Sequence, residues 1–182
     1  GPALLFEKIK GYPGTRNTAN VFSKRERIAG LFDVPDHRKL KFKCLEAMKN
    51  PLPPKVVAEA PCQEVAITKD IDAKSILPMT QHSEGDAGQA LSGGMILITG
   101  SYCHGGSEIG FKRMNFRGKD WASMAANLHS HSGLIRYVEH RDDMIPMTVN
   151  ICPSPAAMLA GAALFAHPVV PCGSDELGFA GD

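Results

Sequence analysis

The sequence predicts a mixed α/β (α+β) fold, because segments of strand character alternate with segments of helical period along the chain. Two stretches, Gly93-Gly94-Met95-Ile96-Leu97-Ile98-Thr99 and Ile109 to Phe116, have the β-branched and apolar makeup of strands. Two others, Lys24 to Phe32 and Leu40 to Met48, place apolar residues at helical spacing. With 182 residues, 43% of them hydrophobic, the chain can bury one substantial core, or a core and a smaller subdomain.

Taken in order, Leu4-Leu5-Phe6 reads as a short buried strand leading to the turn Gly11-Tyr12-Pro13-Gly14. The helices at Lys24 to Phe32 and Leu40 to Met48 follow. The run Asn50-Pro51-Leu52-Pro53-Pro54 then breaks helical continuity, since proline lacks the amide donor and restricts its predecessor, and predicts an exposed connector. Val56-Val57 and Val65-Ala66-Ile67 suggest extended segments, and Ile71 to Leu77 leads to Pro78, where a second unit begins. The domains expected are therefore 1–75 and 76–182.

In the second unit, the strand from Gly93 and the strand to Phe116 flank a glycine-rich turn through Gly100 to Gly106, as in a hairpin with a broad loop. Asp120 can cap a helix through Trp121 to Asn127 that brings His129 and His131 to its C-terminal end. A helix at Leu134 to Arg141 and a buried strand at Met147 to Ile151 come next. Pro155 opens an alanine-rich helix, which small residues let pack tightly, and Gly173-Ser174-Asp175-Glu176 begins a short last one.

Composition narrows the partners. Twenty basic residues against nineteen acidic ones give a net charge of +1, so no electrostatic footprint favours nucleic acid or an anionic membrane. A small molecule or another subunit is expected instead. The five cysteines, Cys44, Cys62, Cys103, Cys152 and Cys172, are spread out and never form Cys-x-x-Cys, which argues against a disulfide framework or zinc ribbon and for a reducing cytoplasm. The longest apolar stretch, Pro155 to Ala166, is too short to span a bilayer, and no basic leader precedes an apolar run. The Gly-Pro start and the Gly181-Asp182 end suggest an excerpt of a longer chain.

Four residues stand out chemically. Glu108 and Arg113 are five apart on a strand and point to opposite faces unless a bulge intervenes at Gly110. Each alone reads as an ordinary surface charge. His131, in His129-Ser130-His131, offers imidazole, a common metal ligand, although a helix C-terminus favours histidine without one. Glu176 follows Asp175 at a helix N-terminus, where capping alone explains a carboxylate. Together Glu108, His131 and Glu176 would make an oxygen-rich site suited to Mn²⁺ or Mg²⁺ and open to a phosphate oxygen.

The chain resembles the UbiD family of prenylated-flavin-dependent decarboxylases. The resemblance begins at Gly1-Pro2-Ala3-Leu4-Leu5-Phe6-Glu7 and Gly11-Tyr12-Pro13 and continues through Asp72-Ala73 to Leu77-Pro78. Its specific part is Ile109-Gly110-Phe111-Lys112-Arg113-Met114, then His129-Ser130-His131, then Pro171-Cys172-Gly173-Ser174-Asp175-Glu176-Leu177-Gly178-Phe179-Ala180-Gly181. The resemblance implies an incomplete N-terminal α/β segment followed by a flavin-binding, split β-barrel-like domain. It implies prenylated FMN whose phosphate is anchored by a divalent metal, usually manganese, with potassium alongside.

In the family the metal is held by an asparagine, a histidine and a glutamate. His131 and Glu176 match the last two, and Glu108 stands where asparagine is usual, a departure that adds negative charge beside the phosphate. Arg113 matches the catalytic arginine, which steers a substrate carboxylate and stabilises charge on the cofactor. Ile109, Gly110, Pro153, Ser154, Pro155, Ala166, His167 and Pro168 match stretches that surround the cofactor. The implied function is reversible, non-oxidative decarboxylation of an aromatic or α,β-unsaturated acid by a homo-oligomer or a larger carboxylase complex. The resemblance implies that the acidic residues that protonate the product fall outside this chain, which favours a second reading, a non-catalytic or assembly subunit of a multi-subunit carboxylase. A third reading is a flavin-free metal hydrolase built on the same ligands.

Overall fold

The computed structural model describes residues 1–81, 83–98, 108–124, 144, 146–162 and 176–181. Among them helices and strands are mixed as the α+β expectation requires, and the strands form a two-stranded ribbon and a four-stranded sheet. A barrel-like closure is not seen among these residues.

The chain divides into two compact units, one of residues 1–37, 55–91 and 114–123 and the other of residues 38–54, 92–113 and 124–182. In the first unit, β1 (Leu4–Phe6) pairs antiparallel with β2 (Asn17–Ala19), Leu4 opposite Ala19 and Phe6 opposite Asn17. The strand is where the sequence placed it, but it is not buried: Leu5 is 55% exposed. Two strands of three residues have too little surface to enclose one another.

Helix α1 (Arg25–Leu31) has Glu26 in its first turn, where a carboxylate meets the positive end of the helix dipole. It ends in a paired cap: Val34 N–H donates to Ala29 O at 2.9 Å and Asp33 N–H to Gly30 O, with Asp33 in the left-handed region at φ 53°. Helix α3 (Ala73–Ile76) is capped by Asp72, whose carboxylate accepts the Lys74 N–H at 3.2 Å. Its backbone is tied on by the Tyr12 hydroxyl, which donates to Lys74 O at 2.8 Å, and by Ala73 N–H, which donates to Lys119 O at 2.8 Å.

Val56-Val57 and Val65-Ala66-Ile67 do not form strands; Val56 is 94% exposed. Extended, β-branched sequence without a partner strand has no ladder to join. The helix expected from Asp120 is also corrected. Arg117 and Gly118 both donate backbone N–H groups to Trp121 O, closing a turn that returns the chain as strand β5 (Ala122–Met124). Gly118 permits this, because a Cβ there would stand 2.2 Å from the Trp121 indole nitrogen. Pairing in the sheet outweighs the helix preference of Ala122 and Met124.

The four-stranded sheet runs in the order β5-β4-β3-β6, with β3 at Ala90–Ile98, β4 at Glu108–Phe116 and β6 at Met147–Asn150. β3 and β4 are neighbours, as a hairpin requires, and β3 pairs antiparallel with β6, Met95 opposite Asn150 and Ile98 opposite Met147. Strand β6 was expected to be buried, yet Met147 and Val149 are exposed, because β6 lies at the sheet's edge.

In the second unit, α2 (Leu40–Lys49) buries Ala47 and stops at Asn50, before Pro51, which restricts its predecessor. Pro155 opens α4 (Pro155–Ala162), as expected, and Ala157 and Ala160 are buried along its length. A 3₁₀ helix, Glu176–Ala180, packs against α4. Its Phe179 forms a core cluster with Ile109 of β4 and Ala160 of α4, with Ala180 packed against it. The helix expected at Leu134 to Arg141 lies outside the described residues.

Candidate functional site

The start of β4 and the start of the 3₁₀ helix meet. Ile109 is buried, and its N–H donates to Glu176 Oε2 at 2.8 Å, joining residues 67 positions apart. The bond is charge-assisted and holds the carboxylate by a backbone atom of a strand, a more rigid partner than a side chain. Glu108 immediately precedes Ile109 in β4. The backbone carrying one candidate ligand is therefore fastened to the side chain of another.

The same core cluster draws in a third group. Ala160 belongs to α4, whose N-terminal lead contains Pro153, Ser154 and Pro155. Ser154 caps the helix: its Oγ accepts the Ala157 N–H at 3.2 Å, and its carbonyl accepts the Met158 N–H at 2.9 Å. A hydroxyl that accepts through a lone pair keeps its own O–H to donate, which suits a phosphate oxygen.

Arg113 lies on the same strand but apart from this cluster. Four residues along β4 from Ile109, it stands about 13 Å away at the usual strand rise. It is exposed, whereas its neighbours Lys112 and Met114 are buried, so period-two alternation sends it to the other face from theirs. Gly110 is buried as well. His131, Ala166, His167 and Pro168 lie outside the described residues. Among the described residues no group of three His, Cys, Asp or Glu side chains is placed to hold a metal, and the histidine of the expected trio is not one of them.

The donor chemistry fits a hard divalent cation. Two carboxylates and an imidazole would match the oxygen-and-nitrogen preference of Mn²⁺ or Mg²⁺, and the hydrogen bond that Glu176 accepts from Ile109 is of the kind that orients a carboxylate in such sites.

Two features were not singled out from the sequence. Lys112 is 9% exposed, unusual for a lysine, and the residue has an interaction partner. Its place next to Arg113 on an alternating strand was the available signal. The other is the contact of Leu52 with Gly178, for which the only hints were a proline-rich run and a glycine two residues after Glu176.

Comparison with known proteins matches residues 55–182 to the 3-octaprenyl-4-hydroxybenzoate carboxy-lyase Rift-related domain and residues 1–42 to the N-terminal domain of the same carboxy-lyase. A gallate decarboxylase of Lactiplantibacillus plantarum is 30% identical over all of this chain and 38% of its own length. Among solved structures, the UbiD-class enzyme HmfF from Pelotomaculum thermopropionicum, in complex with prFMN, superposes with a TM-score of 0.86 at 26% identity, over 98% of this chain and 40% of that one. A 3,4-dihydroxybenzoic acid decarboxylase from Enterobacter cloacae, solved in its apo form, gives 0.79 at 32% identity over 99% of this chain and 37% of that one. The chain thus spans about two fifths of the length of these relatives.

Proposed function

The chain belongs to the UbiD family of carboxy-lyases, and from that premise we propose that it forms the cofactor-holding part of a decarboxylase acting on an aromatic or α,β-unsaturated carboxylic acid. The observation that carries the reading is the hydrogen bond from Ile109 N–H to Glu176 Oε2. It ties together two of the three sequence blocks by which the chain resembles the family.

Glu176, with His131 and Glu108, would hold a divalent metal, manganese or magnesium, against the phosphate of prenylated FMN, with potassium alongside. Ile109 and Gly110, the Pro153-Ser154-Pro155 turn and Ala166, His167 and Pro168 would surround the cofactor, Ser154 offering its O–H to the phosphate. When bound, prenylated FMN supplies an electron sink for the pair of electrons left behind by departing CO₂. The separation of about 13 Å between Ile109 and Arg113 along β4 suits an elongated cofactor, phosphate at one end and reactive ring at the other. Arg113 would orient the substrate carboxylate and balance the charge that develops as the C–C bond breaks; guanidinium does both without ever losing its proton.

The division into 1–75 and 76–182, assembly as a homo-oligomer or larger carboxylase complex, and a cytoplasmic setting belong to the same proposal. Among the described residues no helix is long and apolar enough to cross a membrane.

The test is a contrast between variants of the intact protein. His131→Ala and Glu176→Ala are expected to lose metal and flavin together, whereas Arg113→Ala keeps both and stops CO₂ release. Unchanged flavin content in the first two would show that these residues do not anchor the cofactor.

A further inference from the structure

We propose that the connector 50–54 is a strap that positions the Glu176 carboxylate, with Leu52 and Gly178 as its two positioning residues; the inference rests on the reading of Glu176 as a metal ligand. The connector is exposed, as expected, with Leu52 48% exposed. Its backbone nevertheless lies against the 3₁₀ helix that Glu176 begins: Leu52 N–H donates to Gly178 O at 3.2 Å.

The approach is close enough to demand glycine. A Cβ on Gly178 would stand 2.3 Å from Leu52 O and 3.4 Å from Pro51 Cβ, and one on Gly181 would stand 3.5 Å from Leu52 Cβ. Among the described residues the glycines at positive φ are Gly11, Gly14 and Gly88, so Gly178 is not required by its backbone angle. What it supplies is the absence of a side chain where two backbones touch. Prolines on both sides of Leu52 stiffen the strap, because each fixes its own φ.

Glu176 stands two residues before Gly178 in the same short helix. One side of that helix is held by Phe179 in the cluster with Ile109 and Ala160, and another by the strap. Between them they place Glu176 Oε2 2.8 Å from the Ile109 nitrogen. Any Cβ at residue 178 has to retreat from 2.3 Å to at least the 3.0 Å that real Cβ atoms observe. That movement exceeds the roughly 0.5 Å within which a ligand must be held to keep its geometry. A group that acts by orienting a ligand is worth about 10- to 100-fold in metal affinity.

The experiment titrates the intact, chelator-stripped protein with Mn²⁺ alone, following free Mn²⁺ by electron paramagnetic resonance and recording the metal-free melting temperature in parallel. Gly178→Ala is expected to weaken Mn²⁺ binding about 10- to 100-fold, and Glu176→Gln at least as much. Gly93→Ala, where a Cβ meets nothing within 4 Å, is expected to bind like the parent. Parent-like binding by Gly178→Ala, with binding lost in Glu176→Gln, would overturn the strap and leave the metal site standing. Parent-like binding by Glu176→Gln would overturn the metal reading itself. Should Gly178→Ala not fold, Leu52→Pro, which deletes the donated N–H, carries the same expectation. Failure of both to fold would reduce the contact to core packing and overturn the positioning role.

Discussion

Removing the Glu176 carboxylate should loosen the start of β4 even when no metal is present. In Glu176→Ala the Ile109 N–H loses its acceptor 2.8 Å away while the residue around it stays buried. An unsatisfied buried donor costs about 1–3 kcal/mol. At about 1.4 kcal/mol per factor of ten, the Ile109 amide should exchange with solvent deuterium about 5- to 150-fold faster. Glu176→Gln keeps a neutral acceptor and gives up only the charge assistance, about 1 kcal/mol, so its acceleration should be about fivefold. Native-state hydrogen exchange of the chelator-stripped protein, read at Ile109, measures this without any contribution from metal binding. Parent-like exchange at Ile109 in Glu176→Ala would refute the claim that this carboxylate secures the strand.

Arg113→Ala should retain metal and flavin while CO₂ release falls about 100-fold or more, and Arg113→Lys should not restore it, because an ammonium lacks the planar fork; both are read by CO₂ release at matched flavin content. Tyr12→Phe removes the hydroxyl donated to Lys74 O and should cost about 1 kcal/mol in urea unfolding, with parent-like stability arguing against that tie. Burial raises the pKa of the Cys44 thiol above the ordinary thiol value, its own backbone hydrogen bond and Lys43 opposing that only in part. A raised folded pKa means that the stability Cys44 contributes is full below the ordinary thiol value and is lost as pH climbs from there through the folded value. Alkylation at mildly alkaline pH, followed by peptide mass spectrometry, should therefore label the exposed Cys62 and Cys152 before half-buried Cys44.

What the sequence revealed follows from the range of the interactions involved. Helices α1, α2 and α4 and strands β3 and β4 were legible because local rules set them: apolar period, a proline that opens α4, a proline that ends α2. Strand β5 was misread as a helix because its state depends on pairing in the sheet and on a turn that uses Gly118 under Trp121, neither of which a helical window registers. The burial of β1 and β6 was overestimated for a related reason. Apolar content indicates that a strand could be covered, not whether it lies in a two-stranded ribbon or at a sheet's edge.

In the candidate site, the residue types at Arg113 and Glu176 were readable from their motif blocks. The bond from Ile109 to Glu176 and the contact of Leu52 with Gly178 were not, because they join distant stretches through backbone atoms, and backbone atoms leave no signature in residue type.

Native mass spectrometry of the intact protein, with its visible absorption spectrum, tests most directly whether a prenylated flavin is held through a metal. A bound mass equal to prenylated FMN plus one divalent metal, with flavin absorbance that disappears in Glu176→Ala, is the result expected. Metal bound to the native protein with no flavin mass and no visible band would contradict it.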